Sequence, residues 1–143
     1  MRGVGFGLAS GTVIAIVVSC GGAQPAQSNT DKHTQIAILW GQIRDWRREA
    51  KMPLDPLRST TIQFERSPVD QVKRVCTDVH EVPKACDDVC GLSDAICDNA
   101  EAICTIADEL GKDDDFAQGK CTDAKASCHE GKQKCCGCSS ESP

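Results

Sequence analysis

The chain has 143 residues, a formal net charge of −5, three histidines and only 3% aromatic residues. The negative balance gives no reason to expect nucleic acid as a partner, and a core of Ala, Val, Ile and Leu this poor in rings calls for covalent staples. Eleven cysteines can supply them, close to the density of a disulfide scaffold in an exported chain.

At the start, Arg2 precedes an uncharged apolar run over residues 4–18, broken by Gly and Ser, which ends in Val17-Val18-Ser19-Cys20 and Gly21-Gly22. This is the layout of a secretory signal over residues 1–19. The run of about 15 residues is short for a membrane span. Val17-Val18-Ser19-Cys20 resembles the lipobox of bacterial lipoproteins: aliphatic, aliphatic or small, small, Cys. That resemblance implies cleavage before Cys20, lipid (palmitate among it) on the Cys20 thiol and amine, and a membrane anchor in the bacterial cell envelope. Gly21 stands where some lipoproteins carry an Asp linked with inner-membrane retention, which favours the outer membrane. Cysteine parity agrees, because setting Cys20 aside leaves ten cysteines for five bridges in an oxidising compartment.

Residues 20–33 then read as the lipidated Cys and a small, polar, flexible tether. Residues 34–67 read as an amphipathic helix and a Pro-containing connector. Ile36, Leu39, Trp40, Ile43, Trp46 and Ala50 recur at steps of three and four, which predicts a helix over 34–51 with Thr34 or Asp31 at its start. Arg44, Asp45, Arg47, Arg48 and Glu49 fill the opposite, solvated side. Such a helix suits either a bilayer surface or its own protein; the second is preferred, since the Cys-rich part has an apolar face to cover. Pro53, Pro56 and Pro68 forbid a long helix over 52–67. Val69, Val72, Val75, Cys76 and Val79 predict a helix over 68–82, capped by Ser67, despite the modest helix propensity of valine.

Residues 68–138 form the Cys-rich domain, and 139–143 a loose tail. Cys90, Cys97 and Cys104 are seven apart, as are Cys121, Cys128 and Cys135. Paired from the inside out, 104 with 121, 97 with 128 and 90 with 135 share one midpoint between Lys112 and Asp113. A shared midpoint is the condition for facing positions in an antiparallel hairpin, and a seven-residue step keeps each trio on one helical stripe. The arms run over 84–110 and from Phe116 to about Lys134, with Gly111 ending the first and an Asp of the turn capping the second. Ser93, Ala100, Ala107, Ala117, Ala124 and Gly131 are small enough for the close approach a disulfide needs. A parallel stripe of Val89, Ile96, Ile103 and Leu110, with Leu92 and Ile106 beside it, must be buried by the other helices. The first arm is acidic and the second mostly basic, so the arms attract. Of the other cysteines, Cys86 with Cys138 and Cys76 with Cys136 is one pairing; Cys86 with Cys136 and Cys76 with Cys138 is the other.

Three chemistries compete for these thiols. The chain loosely resembles the copper-storage family of Cys-lined bundles through Cys86-x-x-x-Cys90, which implies Cu(I) on thiolates; the repeated Cys-x-x-x-Cys of that family is absent. Cys76-x-x-x-His80 and Cys135-Cys136-x-Cys138 match no zinc-finger spacing, and His80 and His129 read as helix-surface residues. Cys136-Gly137-Cys138 is a dithiol able to exchange disulfides, without the βαβ context of a redox enzyme. Asp113, Asp114 and Asp115 lack the alternation of a calcium loop, and no motif joins a nucleophile to a base. The expectation is an all-α protein: a disulfide-stapled antiparallel hairpin within a three- or four-helix bundle, without cofactor or metal. The pattern resembles small Cys-rich bacterial lipoproteins of unassigned activity. It implies a non-enzymatic binding or structural module, anchored to a membrane and facing an unidentified protein partner, with Cu(I) sequestration and thiol exchange as alternatives.

Overall fold

The computed structural model describes residues 28–76 and 82–138. The signal, Cys20, most of the tether, Val79, His80 and the tail at 139–143 lie outside them. Every regular element among the described residues is helical: α1 (Asn29–Glu49), α2 (Arg58–Phe64), α3 (Val69–Val72), a 3₁₀ turn (Lys84–Cys86), α4 (Asp87–Leu110) and α5 (Asp115–Cys136). α1, α4 and α5 make the bundle, and α2 and α3 lie mainly against α5.

α4 and α5 form the hairpin. Gly111 ends α4 with φ 99°, a conformation glycine adopts without steric cost. The Gln118 side chain donates to the carbonyls of Ala107 and Gly111, adding a second bond to acceptors that the N–H groups of Gly111 and Asp114 already reach. Asp114 starts α5, its Oδ1 accepting from Ala117 N at 3.0 Å. Bridges Cys90–Cys135, Cys97–Cys128 and Cys104–Cys121 hold the arms with Cα–Cα distances of 4.7, 4.6 and 4.6 Å. Only small residues permit that approach: Ser93, Ala100, Ala107, Ala117, Ala124 and Gly131 are all buried. At Gly131 a Cβ would stand 3.3 Å from Ser93 Oγ and 3.5 Å from Ser93 Cα.

The middle of the aliphatic stripe of α4 is covered, while Val89, Leu92 and Leu110 are only partly buried. Ile96, Ile103 and Ile106 are buried in one core with Ile36, Trp40 and Ile43 of α1 and Val72 of α3. Complete burial of each such side chain is worth about 1.5–3 kcal/mol. α1 therefore packs on its own protein. Asn99 of α4 fixes its register by donating to Leu39 O at 3.2 Å and to Gln42 Oε1 at 2.8 Å.

Four local expectations need correction. α1 begins five residues before 34, because Ser28 caps it and Asp31 reciprocates. Ser28 Oγ accepts from Asp31 N while Asp31 Oδ2 accepts from Ser28 N, both at 3.2 Å. Residues 29–33 carry no apolar repeat, so periodicity alone starts the helix too late. α1 closes at Ala50, where Lys51 takes φ 55° and Met52 N donates to Arg47 O at 2.8 Å, a Schellman closure with lysine in glycine's place. The connector contains a seven-residue helix, α2. Of the predicted 68–82 helix, the described residues 68–76 hold only four helical residues, α3, whose start carries no side-chain cap bond. β-Branched valines give little intrinsic helicity, and the chain leaves the helix to carry Cys76 to Cys136.

Candidate functional site

Bridges gather at the end of the molecule where α5 finishes. Cys135, Cys136 and Cys138 are nearly consecutive, yet each reaches a different element. Cys135 bonds Cys90 on α4, Cys136 bonds Cys76 beyond α3, and Cys138 bonds Cys86 at the 3₁₀ turn. The last two have Cα–Cα distances of 5.4 and 6.0 Å. Of the two pairings open to the sequence, the structure has Cys76 with Cys136 and Cys86 with Cys138. The ten cysteines at 76, 86, 90, 97, 104, 121, 128, 135, 136 and 138 are thus all bridged. Five bridges belong to an oxidising compartment, and a bridged sulfur has no thiolate to offer a metal. Cys86 is fully buried, whereas Cys76, Cys136 and Cys138 are partly exposed. Val89 and Leu92, left half-covered by α1, line an open groove of about 760 Å³ beside Cys138, with Glu49, Lys51, Asp87 and Lys134 at its edge.

The structure also assembles polar groups that the sequence pattern had put in solvent. Arg47, expected on the solvated side of α1, has 0% exposure. Its Nε donates to Pro53 O at 2.7 Å, and Nη2 donates to Asp55 O at 3.2 Å and Glu130 Oε2 at 2.7 Å. Glu130 Oε1 accepts from Leu57 N at 2.8 Å. One ion pair thus pins the connector between α1 and α5. Lys125 is a second buried cation, its Nζ donating to Glu65 O at 2.7 Å and Ser67 O at 3.0 Å. Burial pushes its pKa below the ordinary lysine value. Arg47 continues the spacing of Ile36, Trp40 and Ile43, a positional signal that its charge overrode, whereas nothing local marks Lys125 as buried.

The two described histidines, His33 and His129, are packing residues. His129 stacks on Phe64 with ring centroids 4.2 Å apart. His33 Nε2 lies 2.7 Å from Asp114 Oδ2, and its ring lies 5.0 Å from that of Phe116. The Ala117 N–H, and then His33, hold the Asp114 carboxyl below its usual range. The acids of α4 meet cations from three sides. Asp94 pairs with Lys132 on α5, Glu101 with Lys73 at 2.6 Å, and Glu109 with Lys32 at 3.0 Å. Among the described residues one ion pair within 4 Å joins the arms directly, α1 and the chain after α3 supply one cation each, and Asp108 attracts the buried Lys125 from farther across the arms. The hydrogen bond to Glu101 raises the Lys73 pKa.

Among the described residues no three His, Cys, Asp or Glu side chains are grouped to hold a metal ion. No described helix is long and apolar enough to cross a membrane. Comparison of the chain with protein-family models, curated proteins and solved structures finds no match.

Proposed function

We propose that the chain is an exported, non-enzymatic binding or structural module, held at a bacterial membrane surface by lipid on Cys20. The observation that carries this reading is parity. Ten of the eleven cysteines are paired with one another, and the eleventh is the Cys of Val17-Val18-Ser19-Cys20. Sulfur in the folded part serves as structure, and the remaining cysteine serves as anchor.

The bundle has a built-in direction for this role. The first turn of α1 is fastened to the hairpin tip by Lys32 to Glu109 and His33 to Asp114. The tether therefore leaves at the tip. α1 has 21 residues, so its other end lies about 30 Å away, beside the three gathered bridges. With the tether joined at the tip, the bridged end and its groove are the part of the bundle farthest from the point of attachment, and this reading assigns them to a protein partner.

The test is acylation. Expressed with its leader in a bacterium with two membranes and fed an alkynyl fatty acid, the protein takes up label, and Cys20→Ala does not. The mature mass then begins at Cys20 and includes acyl chains, while alkylation without reductant adds nothing to the ten paired cysteines. A mature chain starting beyond Cys20, or unlabelled protein, refutes the anchor. Ten free thiols that take up Cu(I) would move the reading to metal sequestration.

A further inference from the structure

We propose that the Cys76–Cys136 bridge is a thiol-exchange site, which an incoming thiolate opens first and without opening the hairpin. This goes beyond the binding-module reading and does not depend on the lipid anchor.

Access separates the five bridges. Attack on a disulfide needs a line of approach to one sulfur, and reactive cysteines are those with partial exposure. In three bridges both cysteines are buried, Cys90 with Cys135, Cys97 with Cys128 and Cys104 with Cys121; in Cys86–Cys138 only Cys138 is partly exposed, so attack there must expel a thiolate onto fully buried Cys86, where burial disfavours the charge. In Cys76–Cys136 both are partly exposed. The three rungs of the hairpin also lie inside the small-residue seam, where closely packed helices exclude a third sulfur.

The elements joined by the bridge differ in how firmly they are held. Cys136 ends the 22-residue α5, which two other bridges secure within three residues of it. Cys76 follows α3, a four-residue helix whose buried side chain is Val72, and the described residues 73–76 are not helical. Lightly packed segments open at low free-energy cost, so Cys76 can move to admit a nucleophile while Cys136 stays in place. The segment does not come away when the bridge opens: Val72 remains in the core, Lys73 remains paired with Glu101, and Lys125 still holds the carbonyls of Glu65 and Ser67. The bridge is thus separable from the fold, which the hairpin rungs are not.

The step balances as ordinary exchange. A thiolate RS⁻ bonds to the Cys76 sulfur, the Cys76–Cys136 bond breaks, and the electron pair leaves on Cys136, which takes a proton from water. A second thiolate, on the same protein dithiol or from a second small-thiol molecule, attacks the attacker's sulfur in the mixed disulfide and expels Cys76, which takes up a proton. The bridge is reduced to two thiols and the attacker is oxidised to a disulfide. The same chemistry serves a small thiol or a protein dithiol, and exposure at the end of the bundle admits both.

The oxidised full-length protein is incubated with graded reduced glutathione in one arm and reduced thioredoxin in the other. Each sample is quenched with N-ethylmaleimide, digested and mapped. At partial reduction, label on Cys76 and Cys136 exceeds that on each other bridged cysteine by about tenfold, with the helical circular dichroism unchanged. Opening by glutathione alone assigns a small-thiol partner, and opening by thioredoxin assigns a protein one. The double variant Cys76→Ser/Cys136→Ser loses the fast-labelling phase. Prior labelling of any other bridge, simultaneous labelling of all five, or a fast phase that survives in the double variant overturns the proposal. If that variant does not fold, the order of labelling in the wild type decides alone.

Discussion

Arg47→Met removes the cation at the centre of the α1–connector–α5 junction while keeping much of its apolar bulk. Arg47 is fully buried and the Glu130 side chain is only 10% exposed, so the carboxylate loses its counter-charge without gaining water. Cutting one partner from a buried pair costs about 3–5 kcal/mol. The carbonyls of Pro53 and Asp55 lose their donor as well, each worth about 1 kcal/mol. Against a total stability of about 5–15 kcal/mol for a domain of this kind, the variant sits near the edge of folding. Glu130→Gln costs less, about 1–3 kcal/mol, because Oε1 still accepts from Leu57 N and Arg47 keeps both carbonyls. Urea unfolding of the oxidised protein, followed by the fluorescence of Trp40 and Trp46 on α1, reads the effect at the packed face. The double variant Arg47→Met/Glu130→Leu is less destabilised than the sum of Arg47→Met and Glu130→Leu, since it removes both charges. An Arg47→Met midpoint within about 0.5 kcal/mol of the wild type, the range of an ordinary surface change, refutes the buried clamp.

Other substitutions test the seam, the caps and the rungs. Gly119→Ala, with nothing within 4 Å of the new Cβ, raises stability by about 0.5–1 kcal/mol; Gly131→Leu, which drives into Ser93, lowers it by about 1–3 kcal/mol, and equal effects in urea unfolding would disprove the close approach. Lys51→Gly relieves the left-handed position that closes α1 and raises the thermal midpoint; a fall speaks against that closure. The Asp114 carboxyl, lowered from its ordinary value of 3.8, contributes stability that is complete above that value and lost as pH falls through the folded pKa. Unfolding midpoints therefore drop with pH below about 4, and Asp114→Asn flattens that limb; an unchanged limb contradicts the assignment. Cys97→Ala/Cys128→Ala costs about 1–3 kcal/mol, since the flanking rungs already shorten its loop, and far-ultraviolet circular dichroism stays that of a helical hairpin. Loss of that spectrum would mean that the rungs create the hairpin rather than reinforce it.

The hairpin was legible because its information is local and redundant. Two heptad-spaced cysteine trios with a common midpoint fix register, and Ala100 against Ala124 or Ser93 against Gly131 supplies the closeness that register demands. The cover over Ile96 and Ile103 was legible for the same reason, as α1 carries one unbroken apolar stripe. What failed turns on bonds and propensities that apolar spacing does not encode. Ser28 lies outside the repeat and shows itself only through its reciprocal bond with Asp31. α3 falls short because valines at helical spacing signal burial without supplying helix propensity, and of the described ones, Val69, Val72 and Val75, only Val72 is buried. Arg47 escaped for a deeper reason. Its partners are the carbonyls of Pro53 and Asp55 and a carboxylate 83 residues away, and a backbone carbonyl carries no side-chain signature. The Pro-rich connector looked like a passive link because it has no apolar stripe. With few rings to bury, this chain secures that link by polar means, one buried cation on each side: Arg47 at its start and Lys125 at the carbonyls of Glu65 and Ser67. A pattern read as solvated charge is then the one place where the fold depends on charge being dry.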